Sequence, residues 1–202
     1  METGGPIGMT PADVGVASAS LARAFADDPV RTFLFPKQSS RLRRLERFFG
    51  TVIEVQHLPH GLSFTNPERT GAAVWDPPGS WRTSVGQILR GLPGLFGSIG
   101  TRIPVALRAL ATVEKTHPKE PHYYLAYLGT RPEAQGHGVG STLMEPVLAR
   151  ADEEGLGAYL ESSNAANIPF YRRHGFEVTG EITLPGGPSV WPMWREARPP
   201  GG

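Results

Sequence analysis

Cysteine is absent from the 202 residues, which excludes disulfides, thiolate metal sites and a cysteine nucleophile. No stretch approaches the ~18 consecutive apolar residues that a membrane span requires. The opening METGGPIGMT has neither the basic segment nor the apolar run of a secretory leader. An excess of charge is missing too: 20 Lys and Arg oppose 19 Asp and Glu, leaving +1. Without a basic run, neither nucleic acid nor a membrane surface is an expected partner. The expectation is a cytoplasmic protein.

Glycine (25) and proline (20) are plentiful but spread along the chain, so they mark many turns and short elements. The length suits one domain over 1–202. Within it a helical insertion is expected at about 80–117 and a flexible tail at 195–202.

Helical signals come first. Thr10 as cap, Pro11 in the first turn and Asp13 precede a stripe of Val14, Ala17, Leu21 and Phe25. Leu42, Leu45, Phe48, Phe49 and Val52 define a second helix with arginines opposite. GLSFT and TGAAVWDPP read as a hairpin around NPER. Two apolar helices follow, divided at GLPG. From residue 122 the pattern is regular: strand 122–130, loop 131–137, helix 138–154, strand 157–162, short helix 165–174, then strands at 175–184 and 189–195. Alternating strands and helices imply a mixed α/β sheet.

The loop QGHGVG (135–140) directly precedes a helix. A helix N-terminus offers free N–H groups and partial positive charge, and glycines let an anion approach them. A P-loop would need a lysine after the glycines, and none follows. A dinucleotide fingerprint fits Gly136 and Gly138, but Ser141 stands at its third glycine and the loop lies too far beyond the preceding strand. A ligand-free glycine turn remains the plain alternative.

Read as Gln135-x-x-Gly138-x-Gly140, the loop resembles the acyl-CoA pyrophosphate loop of the GNAT N-acetyltransferase superfamily. LESSNAANIPFYRRHGFEV resembles that family's later segment, with Asn164, Asn167, Tyr171, Gly175 and Phe176 in register. AFADDPV, HPKEPHYYLAYLGTRPEAQGHGVGS and the intervening helical stretch are similar to the puromycin N-acetyltransferase subgroup. The resemblance implies a GNAT-type mixed, mainly antiparallel twisted sheet flanked by helices. It further implies acetyl-CoA as donor, no metal, a small-molecule amine as acceptor (an antibiotic-type amine among them), and a monomer or homodimer. Acetylation of protein lysines or N-termini, and a non-catalytic CoA-responsive module, are the competing functions.

Through this resemblance Gln135, Gly136, His137, Gly138, Val139, Gly140 and Ser141 would hold the CoA pyrophosphate, with Arg131 adding charge. Gly138 and Gly140 carry that role, while Gly136 is read as a permissive loop residue. Leu128, Gly129 and Thr130 would offer backbone to the pantetheine arm, and Asn167 would fix that arm or the next helix. Asn164 reads as a helix cap.

Glu161, ending the apolar strand GAYLES, is the candidate general base; its alternative is a paired or edge carboxylate. Tyr171 is the candidate acid for the departing thiolate; its alternative is a core aromatic. Acceptor lining is assigned to Asp27, Asp28, Phe33, Phe35, Trp75 and Phe96, combining acids for a cationic amine with aromatics for its body. His57 and His60 lack further ligands for zinc. His122, His137 and His174 read as surface or loop residues.

Overall fold

The computed structural model describes residues 5–198. Asp13 accepts hydrogen bonds from the Thr10 N–H (3.0 Å) and hydroxyl (2.7 Å), which launches α1 (Val14–Ala24). The chain then makes a second, short helix, α2 (Pro29–Leu34), where the sequence reading placed only a connection. Asp28 caps it by accepting from the Arg31 N–H at 3.0 Å, and Pro29 occupies its first position. Helix α3 (Gln38–Val52) continues through a widened turn, Ile53–His57, and a tight one, Leu58–His60.

The strands are β1 (Ile7–Gly8), β2 (Ser63–Thr65), β3 (Gly71–Asp76), β4 (His122–Thr130), β5 (Gly157–Ser162), β6 (Glu177–Val178), β7 (Ile182–Thr183) and β8 (Ser189–Arg195). They form a sheet ordered β1-β2-β3-β4-β5-β8-β6, with β7 paired to β8. Every pairing is antiparallel except β4 with β5. This is the mixed, mainly antiparallel architecture that the family resemblance implies. The expected strand at 175–184 is two short strands, β6 and β7.

Helix α6 (Val139–Glu154) covers one face of the sheet. Its Val139, Leu143, Met144, Val147 and Ala151 pack with Ala73, Trp75, Tyr123, Leu125, Ala158 and Leu160. The other face holds Ala72, Val74 and Tyr127 under α1 and α3, whose Leu21, Leu45 and Phe49 are buried there. Strand alternation assigns Ala72 and Val74 to the face opposite Ala73 and Trp75.

Helices α4 (Val85–Ile99) and α5 (Ile103–Glu114) lie between β3 and β4. GLPG does not divide them: α4 runs through Pro93, and the break falls at Gly100–Arg102. The glycine at 94 serves contact rather than a turn, since a Cβ there would overlap Thr51 of α3. The expected flexible tail also starts too early. Arg195 is the last strand residue, only 3% exposed, and held by Asp152; residues 199–202 of that tail lie outside the described residues.

Candidate active site

Strands β4 and β5 run side by side only from His122↔Gly157 to Tyr124↔Tyr159. Beyond that point β4 continues to Thr130 and β5 to Ser162 without pairing. A bulge contributes to the parting: Val74 faces Tyr127 and Trp75 faces Leu125, so Ala126 is the extra residue. The last stretch of β4 thereby presents an unpaired backbone edge toward β5. The bulge also changes parity, which puts Tyr124 and Tyr127 on the same face.

A groove of about 720 Å³ opens at this parting. Its walls include Leu128, Gly129 and Thr130 of β4, Gln135, Gly136, Gly138, Val139, Gly140 and Ser141 at the start of α6, and Asn164, Asn167 and Tyr171 around α7 (Ile168–Arg173). Gly138 is the residue before α6 and has φ +82°; Gly136 has φ +78°. Both backbones are left-handed, a conformation that costs side-chain-bearing residues energy. A Cβ on either would meet nothing within 4 Å, so the loop's backbone faces open space. Gly136 is therefore required by the turn, which corrects its reading as merely permissive. Gln135 closes the loop by donating from Nε2 to the Thr130 carbonyl at 3.0 Å.

The N–H groups at the start of α6 have no intrahelical acceptor, and they border this groove. An unpaired strand edge for amides and a bare helix N-terminus for phosphates together fit the elongated, anionic acyl-CoA. Two arginines unnoticed in the sequence reading, Arg23 and Arg173, also line the groove. Arg131 does not; it donates to the Ser20 hydroxyl at 2.9 Å. His137 is exposed and outside the lining. Asn164 is the cap expected, accepting from the Ala166 N–H at 3.0 Å, and it borders the groove as well. His174 is part-buried rather than superficial and bonds Ser141 Oγ at 3.0 Å. Burial, then the charges of Arg173, Arg195 and Arg198, pushes its pKa down and keeps it neutral.

Tyr171 lines the groove while packing against Phe170 and Phe176, so the acid and the core-aromatic placements coincide. Burial, reinforced by the Asp28 carboxylate, raises its pKa, and the phenol keeps its proton. Asp28 borders the same groove, but both its oxygens are engaged: one caps α2 and the other accepts from the Ser163 hydroxyl.

Glu161 stands on the α1/α3 face, its side chain 8% exposed. Tyr124 donates to its Oε2 at 2.8 Å, while Oε1 is buried without a hydrogen bond. Burial and then the Glu161 charge raise the Tyr124 pKa well above its ordinary value, so its hydroxyl is a permanent donor to the carboxylate. His117 Nδ1 lies 3.4 Å from Oε1. Asp76, fully buried and directly opposite Tyr124, accepts from His57 at 2.7 Å. His122, expected at the surface, is 3% exposed and part of this cluster.

The assigned acceptor lining fares less well. Trp75 points to the α6 face and is fully buried in that core, because alternation along β3 sends Val74 and Asp76 the other way. Phe35 is sealed against Phe48. Phe33 sits between Arg102 and Gly187, and Phe96 is 63% exposed on α4. Asp27 borders the groove with an almost fully exposed carboxylate. Tyr124, Asp76 and His117 were missed. Tyr124 lies opposite Tyr159, which shares a face of β5 with Glu161; nothing local marked His117.

Comparison with known proteins agrees with this geometry. Residues 95–176 match the family described as Acetyltransferase (GNAT) family. An uncharacterized N-acetyltransferase of Schizosaccharomyces pombe is 30% identical over 187 residues, covering 85% of this chain and 74% of that protein. The crystal structure described as histone acetyltransferase HPA2 and related acetyltransferase, from Corynebacterium glutamicum, superposes with a TM-score of 0.75 at 27% identity over 99% of both chains. A polyamine N-acetyltransferase of Drosophila melanogaster shares the fold, with a TM-score of 0.61 at 15% identity over 95% of this chain and 98% of that one.

Proposed function

The chain belongs to the GNAT acetyltransferase family, and we propose that it acetylates the primary amine of a small molecule from acetyl-CoA, by direct attack in a ternary complex in the cytoplasm. The observation that carries this reading is the parted β4 and β5, with the α6 N-terminus beside one side of the opening and Glu161 on the α1/α3 face. The loop 135–141, the β4 edge at 128–130 and Asn167 would hold the donor, which supplies an acetyl group activated as a thioester.

Each remaining task falls to a side chain. Glu161 takes the proton that the amine nitrogen sheds as its electron pair forms the new C–N bond. The C–S bond breaks, and Tyr171, protonated throughout the physiological range, gives its proton to the sulfur. A positioned acid or base of this kind contributes roughly 10²–10⁴-fold each. The enclosed setting of Glu161, beneath Trp81 and His117, suits a small amine better than a peptide laid across an open groove. Resemblance to the puromycin N-acetyltransferase subgroup supports antibiotic-type amines as one class of acceptor. The likeness to a structure described as a histone acetyltransferase favours protein lysines as the second reading.

Thiol release from acetyl-CoA against a panel of amines, puromycin and polyamines included, and lysine peptides tests these readings. Turnover on small amines that Glu161→Gln abolishes while acetyl-CoA binding persists is the expected result. Turnover on peptides alone would move the assignment to the second reading. Binding of acetyl-CoA with no turnover on any acceptor would indicate a CoA-responsive module.

A further inference from the structure

The segment holding α4 and α5 leaves the sheet after β3 and returns before β4, and its two ends meet. Trp81, ahead of α4, stacks on His117, behind α5, with centroids 3.7 Å apart and planes 22° from parallel. His117 also meets Tyr124 and Tyr159 edge-on, at 5.0 and 4.8 Å. The imidazole is thus fixed by three rings, directly against Glu161.

Its hydrogen bonds fix its protons as well. His122 Nδ1 lies 2.6 Å from the Glu120 carbonyl, which can only accept, so Nδ1 carries the hydrogen. Burial pushes the His122 pKa down, which keeps the ring neutral and its Nε2 bare. His117 Nε2, 3.1 Å away, must then be the donor. In neutral His117 this leaves Nδ1 as a lone pair pointing at Glu161 Oε1, 3.4 Å off. Two acceptors face each other in a buried place, and neither Oε1 nor the neighbouring Tyr159 hydroxyl has a formed hydrogen bond. That opposition is unfavourable until one proton enters the gap.

We propose that His117 is a positioning residue for acetyl transfer: the proton Glu161 takes up is held between its Oε1 and His117 Nδ1. The α4–α5 segment, clamped by Trp81, serves to place that imidazole. The inference rests on the reading of Glu161 as base. In balance, the amine N–H bond breaks, its electron pair stays on nitrogen for the amide, and the proton resides in the Glu161–His117 gap until it returns to water after product leaves. The other groups around Glu161 are Tyr124 and His122 of β4, Tyr159 of β5, and Asp76 of β3 with its His57 partner; Tyr127 and Arg31 lie behind them. Burial keeps Tyr124, Tyr127 and Tyr159 protonated.

Nitrogen NMR of the histidines in the unmodified protein tests the proton map without any turnover. Where the His117 ring is neutral, it should show a bare Nδ1 and a protonated Nε2. A protonated Nδ1 at high pH would overturn the proposal. The kinetic arm is His117→Gln, whose amide N–H would donate to Oε1 and favour the carboxylate. The acid limb of kcat/KM should move to lower pH by about one unit, with slower turnover at the plateau. An unmoved limb in a variant that binds acetyl-CoA normally, with Glu161→Gln inactive, would overturn this inference alone. Full turnover by Glu161→Gln would instead remove the reading of Glu161 as base.

Discussion

Arg195 grips Asp152 with two parallel hydrogen bonds, Nη1 to Oδ1 at 2.8 Å and Nη2 to Oδ2 at 2.7 Å. The pair ties the end of β8 to the exposed side of α6, and so holds the helix whose N-terminus forms the groove. The guanidinium is buried, so losing the carboxylate would strand a charge. Asp152→Ala is expected to cost about 2–3 kcal/mol at pH 7. The hydrogen bonds from Arg195 lead the causes that lower the Asp152 pKa in the folded state. Its contribution is therefore complete above the ordinary carboxylate range, about pH 4, and is lost as pH falls through the lowered folded value. Urea unfolding should show a constant gap between the native protein and Asp152→Asn from pH 7 to about 4, closing below.

Gly138 and Gly155 bound the same helix, each with a left-handed backbone (φ +82° and +66°) and with open space where a Cβ would stand. Alanine at either position should cost roughly 1 kcal/mol of stability. Only Gly138 borders the groove. Gly138→Ala should then also lose acetyl-CoA affinity by tenfold or more, about 1.4 kcal/mol, while Gly155→Ala binds as the native protein does. Calorimetry on both variants checks this, and equal affinities would mean the loop does not carry the pyrophosphate.

The half of the chain after residue 122 was legible because its signals are local. Strands β4 and β5 have the expected limits, and the groove gathers nearly every position assigned to the donor, because loop, helix start and strand end are adjacent in sequence as well as in space. The face around Glu161 was not legible. Period-2 alternation separates Trp75 from Asp76 without saying which side α6 will cover. The Ala126 bulge resets the parity that would have set Tyr124 and Tyr127 on opposite faces. His117 reaches Glu161 only because Trp81 closes a long excursion, and no spacing rule expresses that contact.

Asp28 tests whether an acidic groove residue holds substrate or holds the fold. Its oxygens cap α2 and accept from Ser163, which ties α2 to the end of β5. Asparagine caps helices about as well as aspartate, whereas alanine does not. Asp28→Asn should keep stability within about 0.5 kcal/mol and an unchanged KM for the amine. Asp28→Ala should lose about 1 kcal/mol. A raised amine KM in Asp28→Asn, with thermal stability intact, would return Asp28 to the acceptor site.

Tyr171 offers a pH-based test of the proton donor. Burial and the Asp28 charge both disfavour its phenolate, so the acid form persists well past the ordinary value of about 10. Activity therefore should not fall on the alkaline side through loss of this proton below about pH 10. Tyr171→Phe removes one hydroxyl from a ring held by Phe170 and Phe176 and should leave acetyl-CoA affinity nearly unchanged. The transfer step should slow by roughly 10²-fold. The deficit should shrink with an acyl donor whose leaving thiol has a lower pKa, because such a thiolate departs without needing a proton. A deficit that is the same for both donors would show that Tyr171 only packs the groove wall.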